Sequence, residues 1–404
     1  MINLETPKKL RPLINNAHQV AGQMLRPNSR KYDLAEHAYP KELDMLAAMV
    51  DGLSDSGQSA GAGASGVRRE EADGDSGKVR NGTNLASIVG VMEMCWGDVG
   101  LLLSMPRQGL GNSAIASVAD DEQRERFDGV WAAMAITEPG CGSDSAAIQT
   151  TAELDGDEYV LNGEKIFVTA GGRSDVVVVW ATLDKSKGRA AIKSFVVPKD
   201  TPGITVERLD HKLGIRASDT ATIRLADCRV PQENLLGSPE IDTGKGFAGV
   251  MQTFDNTRPL VASMAVGCAR ASLEVTRDLL AEAGAEVDYD RPAHVQTAAA
   301  ATYLQIEADW EAAYMLTMEA AWMADNNQPN SLQASMAKAK AGRMANDVTL
   351  RCVELAGSLG YSEHELLEKW ARDSKILDIF EGTQQIQQLI VARRLLGKSS
   401  TELR

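Results

Sequence analysis

A single carboxylate, Glu381, stands directly before a strongly periodic helix near the C-terminus of the chain. Apolar residues recur there at three- and four-residue spacing, two arginines come late and a glycine ends the pattern: Ile386, Leu389, Ile390, Val391, Arg393, Arg394, Leu395 and Gly397. An acid at this place could act as a general base. It could also do no more than complement the positive end of the helix dipole, which is worth about 0.3–1 kcal/mol. The residues that accompany it decide between the two.

Two further segments are suited to a large planar ligand. The apolar run 130–136 leads into a turn rich in glycine, hydroxyl and acidic groups at 137–144, whose small residues let backbone N–H groups approach a ligand. The segment 159–169 contains Asn162-Gly163, the strongest short hairpin signal, and we interpret it as two strands joined there. Phe167 and Thr169 then fall on the return strand. The ends of these two strand regions could bind one planar ring system between them.

In order and spacing, these segments resemble the acyl-CoA dehydrogenase family of flavoenzymes, and nearly the whole chain takes part. The turn reads Thr-Glu-Pro-x-x-Gly-Ser-Asp at 137–144, and Asn-Gly-x-Lys follows at 162–165. The other matching stretches are Lys212-Leu-Gly-Ile-Arg216-Ala-Ser218-Asp-Thr220, Arg229-Val-Pro231, Asn234-Leu-Leu-Gly237, Gly244-Lys-Gly-Phe247, Phe254-Asp255-Asn-Thr257-Arg258 and Arg372-Asp-Ser-Lys-Ile376. Each piece is short, but their common order makes the set specific.

The resemblance implies an α+β fold that is mostly α, with an N-terminal helical domain at 1–132, a central β-barrel-like domain at 133–243 and a C-terminal four-helix bundle at 244–404. Periodicity predicts the same three regions. Short β-rich runs occupy 175–180, 192–197, 204–207 and 220–225, and long amphipathic helices are predicted at 259–281, 293–323 and 332–355. The stretch 52–82, rich in glycine, serine and charge, is predicted to be a loop. The apolar stripe from Leu10 to Met24 favours a buried helix over a transit peptide.

The resemblance also implies a reaction and the residues that perform it. FAD is held between the last two domains, Glu381 takes the α proton of an acyl-CoA thioester, flavin N5 accepts the β hydride, and the product is the trans-2-enoyl-CoA. The implied cofactor-binding residues are Met134, Ile136, Thr137, Gly142, Ser143, Phe167, Thr169, Thr383 and Gln385. The implied acyl-CoA-binding residues are Ser143, Asp255, Arg258 and Gly382.

Some of these assignments have structural alternatives. Phe167 stands where the family often has Trp, and it could be a core aromatic on a strand. Asp255 and Arg258 could pair with each other on a helix, since residues three apart are neighbours there. In some family members the base is an acid two residues before the arginine; here that position is Asn256, and the adjacent Thr257 is also neutral, which leaves Glu381 without a nearby competitor.

Composition restricts the other classes of function. The 404 residues, 44% of them hydrophobic, can bury a large core, and the net charge of −14 disfavours nucleic acid as a partner. Coenzyme A is itself a polyanion, so it would need local cations such as Arg258, Arg189 or Lys193. Five cysteines without a C-x-x-C pair and histidines without metal spacing indicate neither a disulfide framework nor a metal site. With no membrane-spanning segment predicted, we expect a cytoplasmic protein, in the bacterial cytosol rather than a mitochondrial matrix.

Two motifs by which homo-oligomeric relatives complete the FAD site of a neighbouring subunit are not intact. Where the family has Arg-x-x-Phe-Gly, the stretch 279–290 places Ala283 or Glu286 at the position of the arginine, and where it has Gln-x-x-Gly-Gly-x-Gly, this chain begins with Glu354. Like charges about 4 Å apart cost about 4 kcal/mol at an effective dielectric constant of about 20, so a carboxylate facing a diphosphate would weaken binding. We therefore expect an oligomer in which an unlike subunit completes the FAD site, similar to certain actinobacterial members that work in unlike pairs.

Three functions stay open on the sequence alone. The first is a dehydrogenase of fatty-acid β-oxidation that passes electrons to an electron-transfer flavoprotein. The second is an oxidase relative that returns electrons to dioxygen, and the third is a non-catalytic assembly subunit. The first is favoured because Glu381-Gly-Thr stands beside an intact Thr-Glu-Pro turn. The sequence predicts no acyl chain length, because the stretch 52–82 gives no register for an acyl pocket.

Overall fold

Helices form both ends of the chain and strands form its middle. The computed structural model describes residues 6–55, 82–107, 110–241, 248–399 and 402. Most of the predicted loop 52–82 and the matching stretch 244–247 therefore lie outside the described residues. The α+β fold implied by the sequence, mostly α, is confirmed.

The N-terminal helices follow the apolar stripe predicted for residues 10–24. Leu10 and Ala21 are buried, and Leu13, Ile14, Val20 and Met24 pack against the main core. A short π-helical stretch, Ala21–Leu25, joins the first two helices. The elements are α1 (Arg11–Val20), α2 (Arg26–Leu34), α3 (Glu42–Asp55), α4 (Thr83–Gly97), α5 (Val99–Leu103), α6 (Leu110–Val118) and α7 (Asp121–Arg126).

The C-terminal helices are longer. α8 packs against α9 and α10, and α12 packs against α10, so the predicted bundle is present. Gly397 ends α12 in the left-handed conformation, as its position in the sequence predicts. The elements are α8 (Ala248–Glu282), α9 (Ala298–Asp325), α10 (Ser331–Tyr361), α11 (Leu367–Ser374) and α12 (Gln384–Leu396).

Two helix boundaries differ from the predictions. The helix predicted to begin at Pro259 begins at Ala248, so the proline lies inside it; burial of Thr257 and Arg258 just ahead of it offsets the cost of proline in a helix interior. The helix predicted from residue 293 begins at Ala298, since Thr297 caps it by accepting a hydrogen bond from Ala300 N at 3.1 Å.

The central region is one seven-stranded mixed sheet. Its strands run in the order β1-β4-β2-β3-β7-β6, and β5 pairs with β4. Although β4 and β2 lie between β1 and β3 in this order, Ile166 N in β3 donates to Thr137 O just after β1 at 2.9 Å, so the sheet curls back on itself. The strands are β1 (Ala132–Ala135), β2 (Thr151–Asp155), β3 (Glu158–Thr169), β4 (Val176–Thr182), β5 (Ile192–Pro198), β6 (Ile204–Leu209) and β7 (Thr220–Pro231).

The predicted hairpin at Asn162-Gly163 is wrong. Both residues lie inside β3, where the pairing with β7 shifts register between Leu161 and Gly163, and Gly163 has a positive φ of 156°. The turn is instead at Gly156-Asp157, between β2 and β3. A β-bulge and a tight turn both favour Asn and Gly, so the local signal could not separate them.

The two helical regions share one hydrophobic core. One buried cluster contains apolar residues of the N-terminal helices, such as Leu10 and Met105, together with residues of the C-terminal helices, such as Leu260 and Leu377. The sheet has a separate cluster that includes Leu161, Phe195 and Ile223. The C-terminal helices are therefore anchored directly on the N-terminal ones. None of the described helices combines the length and apolarity that a membrane crossing requires.

Candidate active site

Glu381 and Gly382 form a left-handed turn between the 3₁₀ segment Lys375–Asp378 and α12. Their φ angles are +56° and +93°, a region that costs free energy for a residue with a side chain. The positive φ of Gly382 favours glycine there, and a Cβ would also displace the side-chain amide of Gln387 from its place against the turn. Strained backbone of this kind is common at functional sites, where it fixes the direction of a side chain; here it fixes that of Glu381.

Side chains from two helices hold the carbonyl groups of this turn. Gln387 Nε2 in α12 donates to Glu381 O at 3.1 Å and to Gly382 O at 3.2 Å. Lys338 Nζ in α10 donates to Gly382 O at 2.6 Å. The Glu381 N–H makes no hydrogen bond with any described residue. Protein donors thus bind both carbonyl groups of the turn, whereas the Glu381 N–H is available to an acceptor outside the described residues.

The Glu381 carboxyl lies against the start of the bundle. Thr257 Oγ1 in α8 donates to Glu381 Oε2 at 2.8 Å. Burial raises the pKa of Glu381 above its usual value, against the opposing effects of the Thr257 hydrogen bond and the positive charges of Arg258 and Lys338. A carboxylate with a raised pKa is a stronger proton acceptor than one in water.

A second group of predicted residues gathers where β1 ends. Lys165 Nζ in β3 donates to Ile136 O at 3.2 Å and to Glu138 Oε1 at 2.7 Å, and both charged side chains are buried. Glu138 also accepts from Thr150 N, Thr150 Oγ1 and Gln149 N at 2.9, 2.6 and 2.7 Å. Although burial would raise the pKa of Glu138, Lys165 and these donors lower it. This ion pair fixes the turn 137–144 against the sheet.

Phe167 follows Lys165 by two residues, at an irregular stretch of β3. We call residues 165–169, at this end of β3, the β-domain ledge. The β3–β7 pairing is irregular between Lys165 and Val168, and Phe167 has a positive φ of 58°. The side chain is 64% exposed, so the alternative that Phe167 is a core aromatic is wrong. Bulges next to active sites re-aim side chains, and this one turns an aromatic ring outward.

The other predicted cofactor residues divide between the two groups. Met134, Ile136, Thr137 and Thr169 are half-buried, whereas Gly142 and Ser143 are exposed on the turn. A Cβ at Gly142 would lie 3.8 Å from Thr137 Cγ2. Thr383 caps α12 by accepting from Ile386 N at 3.4 Å, and Gln385 is exposed one position into that helix.

The predicted substrate residues are only partly brought together. Gly382 belongs to the turn Glu381–Gly382, which we call the base turn. Arg258 is buried beside Thr257, and Ser143 lies on the turn 137–144 of the β domain. Asp255 falls in α8, and its side chain lies outside the described residues. Of the other two cations proposed for coenzyme A, Arg189 is exposed before β5, and Lys193 Nζ donates to Glu240 O at 2.6 Å.

The segment 212–220 connects the β-domain ledge to the base turn. At one end Thr220 pairs with Thr169 in the sheet, and Asp219 accepts from Gly172 N at 2.8 Å. At the other end Ile215 N donates to Asp373 at 2.5 Å, in the helix that precedes Glu381. No hydrogen bond or ion pair among the described residues joins Glu381 directly to the turn 137–144. This segment is therefore one link between them, and α6, which packs against both β1 and α8, is another.

A buried ion cluster anchors the same junction. Lys369 Nζ lies 2.7 Å from Asp98 and 2.5 Å from Asp373, and all three side chains are buried. Asp98 also accepts from Leu101 N at 2.7 Å and from the Ser29 hydroxyl. Although burial would lower it, the two carboxylates raise the pKa of Lys369. Helices α2, α5 and α11 meet at this cluster.

Sequence reasoning missed the roles of five residues: Thr257 as a donor to the base, Lys338 and Gln387 as donors to the turn, and Glu138 and Lys165 as a buried ion pair. Lys338 carries a signal that could have been found, because it lies on the apolar face of α10 together with Ala334, Ala341 and Ala345. A lysine on such a face is unusual and indicates a partner.

Glu36, His37 and His211 also come together, with ligand atoms within 4.8 Å of one another. Both Glu36 oxygens already accept hydrogen bonds, from His211 Nδ1 at 2.7 Å and from Lys212 N at 2.9 Å. Burial lowers the pKa of His37, and the positive charge of Lys212 lowers it further, against the opposing effect of Glu36. These contacts account for the cluster without a metal ion, and the expectation of no metal site stays a prediction.

Comparison with known proteins gives a consistent result. Residues 133–228 match the model of the acyl-CoA dehydrogenase middle domain, and residues 244–396 match that of the acyl-CoA dehydrogenase C-terminal domain. The short-chain specific acyl-CoA dehydrogenase of Clostridium acetobutylicum is 34% identical over 78% of this chain and 83% of its own length. The mitochondrial short-chain specific enzyme of Rattus norvegicus is 39% identical over 65% of this chain, and the aligned region spans 62% of the rat protein. The structure of butyryl-CoA dehydrogenase from Megasphaera elsdenii superimposes with a TM-score of 0.81 at 30% identity, over 98% of this chain and all (100%) of the other.

Proposed function

The chain belongs to the acyl-CoA dehydrogenase family, and from this premise we propose that it oxidises an acyl-CoA thioester to the trans-2-enoyl-CoA with Glu381 as the base. The observation that carries the proposal is the Glu381 carboxyl itself. It is held by Thr257 at 2.8 Å, its pKa is raised by burial, and it projects from a strained turn that glycine makes possible. An acid that only complemented a helix dipole would need none of these features.

The proton step follows from these contacts. The Glu381 carboxylate accepts the α proton, so the C–H bond breaks, an O–H bond forms and the electron pair moves toward the thioester oxygen. The Glu381 N–H donates no hydrogen bond to any described residue. It can therefore donate one to the thioester oxygen as negative charge develops there. Arg258 and Lys338 favour the ionised carboxylate before the transfer. One turn thus supplies both the base and a donor for the developing charge.

The described residues fit a flavin at the ledge beside Glu138. Family members are FAD-dependent, and bound FAD supplies the acceptor for the β hydride. An exposed aromatic ring at Phe167 and half-buried apolar side chains at Met134 and Ile136 suit one face of a planar ring system. Thr137 and Thr169 offer hydroxyl groups at its edge, and Gly142, Ser143, Thr383 and Gln385 complete the proposed set.

A short acyl chain is the substrate class that the relatives favour. The Clostridium and rat relatives are named as short-chain specific, and the Megasphaera structure is of a butyryl-CoA dehydrogenase. We expect butyryl-CoA to give a higher kcat/KM than octanoyl- or palmitoyl-CoA in an assay with a dye as electron acceptor. Preference for the longest chain would contradict the substrate class, and no turnover of any thioester would contradict the function and favour an assembly subunit. On the favoured reading, the chain acts in fatty-acid β-oxidation in a bacterial cytosol.

Electron-transfer flavoprotein is the proposed electron acceptor, with dioxygen as the alternative. Stopped-flow reoxidation of the reduced enzyme in air separates them. Slow reoxidation in air with fast reoxidation by the flavoprotein supports the dehydrogenase. Fast reoxidation by air alone would identify an oxidase.

An unlike partner subunit is proposed to complete the FAD site. Glu286 is exposed in the loop after α8, and Glu354 is exposed in α10, where Arg351 pairs with it at 2.5 Å. That arginine reduces the repulsion expected at Glu354, but neither position offers the diphosphate a cation of its own. We expect the chain purified alone to bind well below one FAD per subunit, and to approach one when it is purified with the correct partner chain. Full occupancy in a homo-oligomer would rule out the unlike partner.

A further inference from the structure

Lys338 is a buried cation without a buried anion bonded to it. Its side chain is fully buried in α10, and among the described residues the Gly382 carbonyl, at 2.6 Å, is its hydrogen-bond acceptor. No described carboxylate lies within ion-pair distance of its ammonium group. Fully buried lysines are otherwise nearly always paired, because removing an ammonium group from water is costly. The burial of Lys338 without a bonded carboxylate therefore indicates that its ammonium group has a role at the turn that it contacts.

The approach of α10 to this turn is specific. A Cβ at Gly342, one helical turn after Lys338, would lie 2.7 Å from Leu377 O, so α10 can approach the segment before Glu381 only because this residue is glycine. The contact places the ammonium group on the carbonyl side of the Glu381–Gly382 turn. Gln387 holds the same carbonyl groups from α12.

We propose that Lys338 is a positioning residue for the base: its ammonium group fixes the left-handed turn through the Gly382 carbonyl and brings a positive charge to the turn that carries the Glu381 carboxyl. This inference rests on the proposed function, in which Glu381 must be ionised to accept a proton. It assigns Lys338 no contact with substrate or cofactor.

The charges around Lys338 come from three elements. Arg258 in α8 is a second buried cation, Asp378 precedes the turn, and Glu381 belongs to it. Asp378 in turn lies 3.7 Å from Lys375 and 4.0 Å from Arg343, which reduces its influence on Lys338. Burial lowers the pKa of Lys338 to about 8, against the attraction of Asp378 and Glu381. The lysine is therefore still mostly charged at pH 7, where it acts on Glu381.

The sign of the effect is fixed by electrostatics. A nearby cation favours the ionised carboxylate and lowers its pKa, so removing the cation raises the pKa of Glu381. The acidic limb of the kcat profile, in which activity increases as Glu381 ionises, then moves to higher pH. We expect an upward shift of about one unit or more in Lys338→Met and Lys338→Gln, the scale that an opposite charge nearby produces.

The experiment compares four variants of the holoenzyme. Lys338→Met removes charge and hydrogen bond, Lys338→Gln keeps hydrogen-bond donors without charge, and Lys338→Arg keeps the charge. Lys340→Met, two residues along α10, is the matched control, because Lys340 is only half-buried and pairs with the exposed Asp309 at 2.9 Å. The kcat profile is measured against pH. In parallel, the carboxyl infrared band that disappears in Glu381→Gln is titrated, which gives the pKa of Glu381 without turnover.

The expected pattern is an upward shift in both neutral variants and wild-type values in Lys338→Arg and Lys340→Met. The plateau kcat of Lys338→Met should also fall by about tenfold, within the range by which a misplaced base slows proton transfer, while KM is unchanged. An unshifted Glu381 titration in both neutral variants, or an equal shift in Lys338→Arg, overturns the inference. If Lys338→Met does not fold, Lys338→Gln decides. If the wild type oxidises no thioester, the proposed function fails, and the infrared titration still decides the role of Lys338.

Discussion

Replacing Glu381 by Gln is expected to reduce kcat for acyl-CoA oxidation by about 10²–10⁴-fold, the range that a positioned general base contributes. The amide keeps the size of the side chain and can still accept the Thr257 hydrogen bond that the structure shows at 2.8 Å. It cannot accept a proton at neutral pH. We expect the flavin absorbance spectrum and acyl-CoA binding to remain near those of the wild type, so that the loss is confined to the chemical step.

The matched control is Glu311→Gln, which makes the same change on the exposed surface of α9. Its kcat should equal that of the wild type. Persistent turnover in Glu381→Gln, with flavin bound, would place the base on another residue. Loss of flavin together with activity would instead show that Glu381 acts through the cofactor site.

Replacing Lys369 by Met is expected to destabilise the protein by about 3–5 kcal/mol, the usual cost of removing one partner from a buried ion pair. Asp98 and Asp373 would then face each other without the ammonium group that now lies 2.7 and 2.5 Å from them. The measurement is the midpoint of the unfolding transition in urea. The loss should diminish as the pH falls, because burial raises the pKa of Asp373 and protonation of its carboxyl removes one buried charge.

Lys340→Met serves here as well, since it breaks an exposed pair with Asp309, and such pairs contribute about 0–1 kcal/mol. An equal, small effect of both substitutions would mean that the buried cluster does not stabilise the junction. A large loss of stability in Lys369→Met alone would show that this cluster stabilises the junction of α2, α5 and α11. Because Asp373 also accepts from Ile215 N at 2.5 Å, a weakened cluster should also disturb segment 212–220, which links the ledge to the base turn.

Local patterns in the sequence were sufficient for most elements of the fold. Strands β4, β5, β6 and β7 and helix α12 lie where alternation or helical spacing predicts them, since each pattern is read within one element. The ends of elements were less predictable. Helix α8 extends ahead of Pro259, and Asn162-Gly163 forms a bulge inside β3, because partners distant in sequence decide both outcomes.

The sequence by itself determined the family, the α+β class and the identity of Glu381 as the candidate base, because these depend on residue types in a fixed order. Only the tertiary structure decided the environment of that base. Thr257 and Lys338 reach Glu381 and Gly382 across 124 and 44 residues of sequence. The burial that raises the pKa of Glu381 comes from packing between α8, α10 and α12. Desolvation and charge act through space, so the chemistry of this carboxylate is set by neighbours that no local pattern specifies.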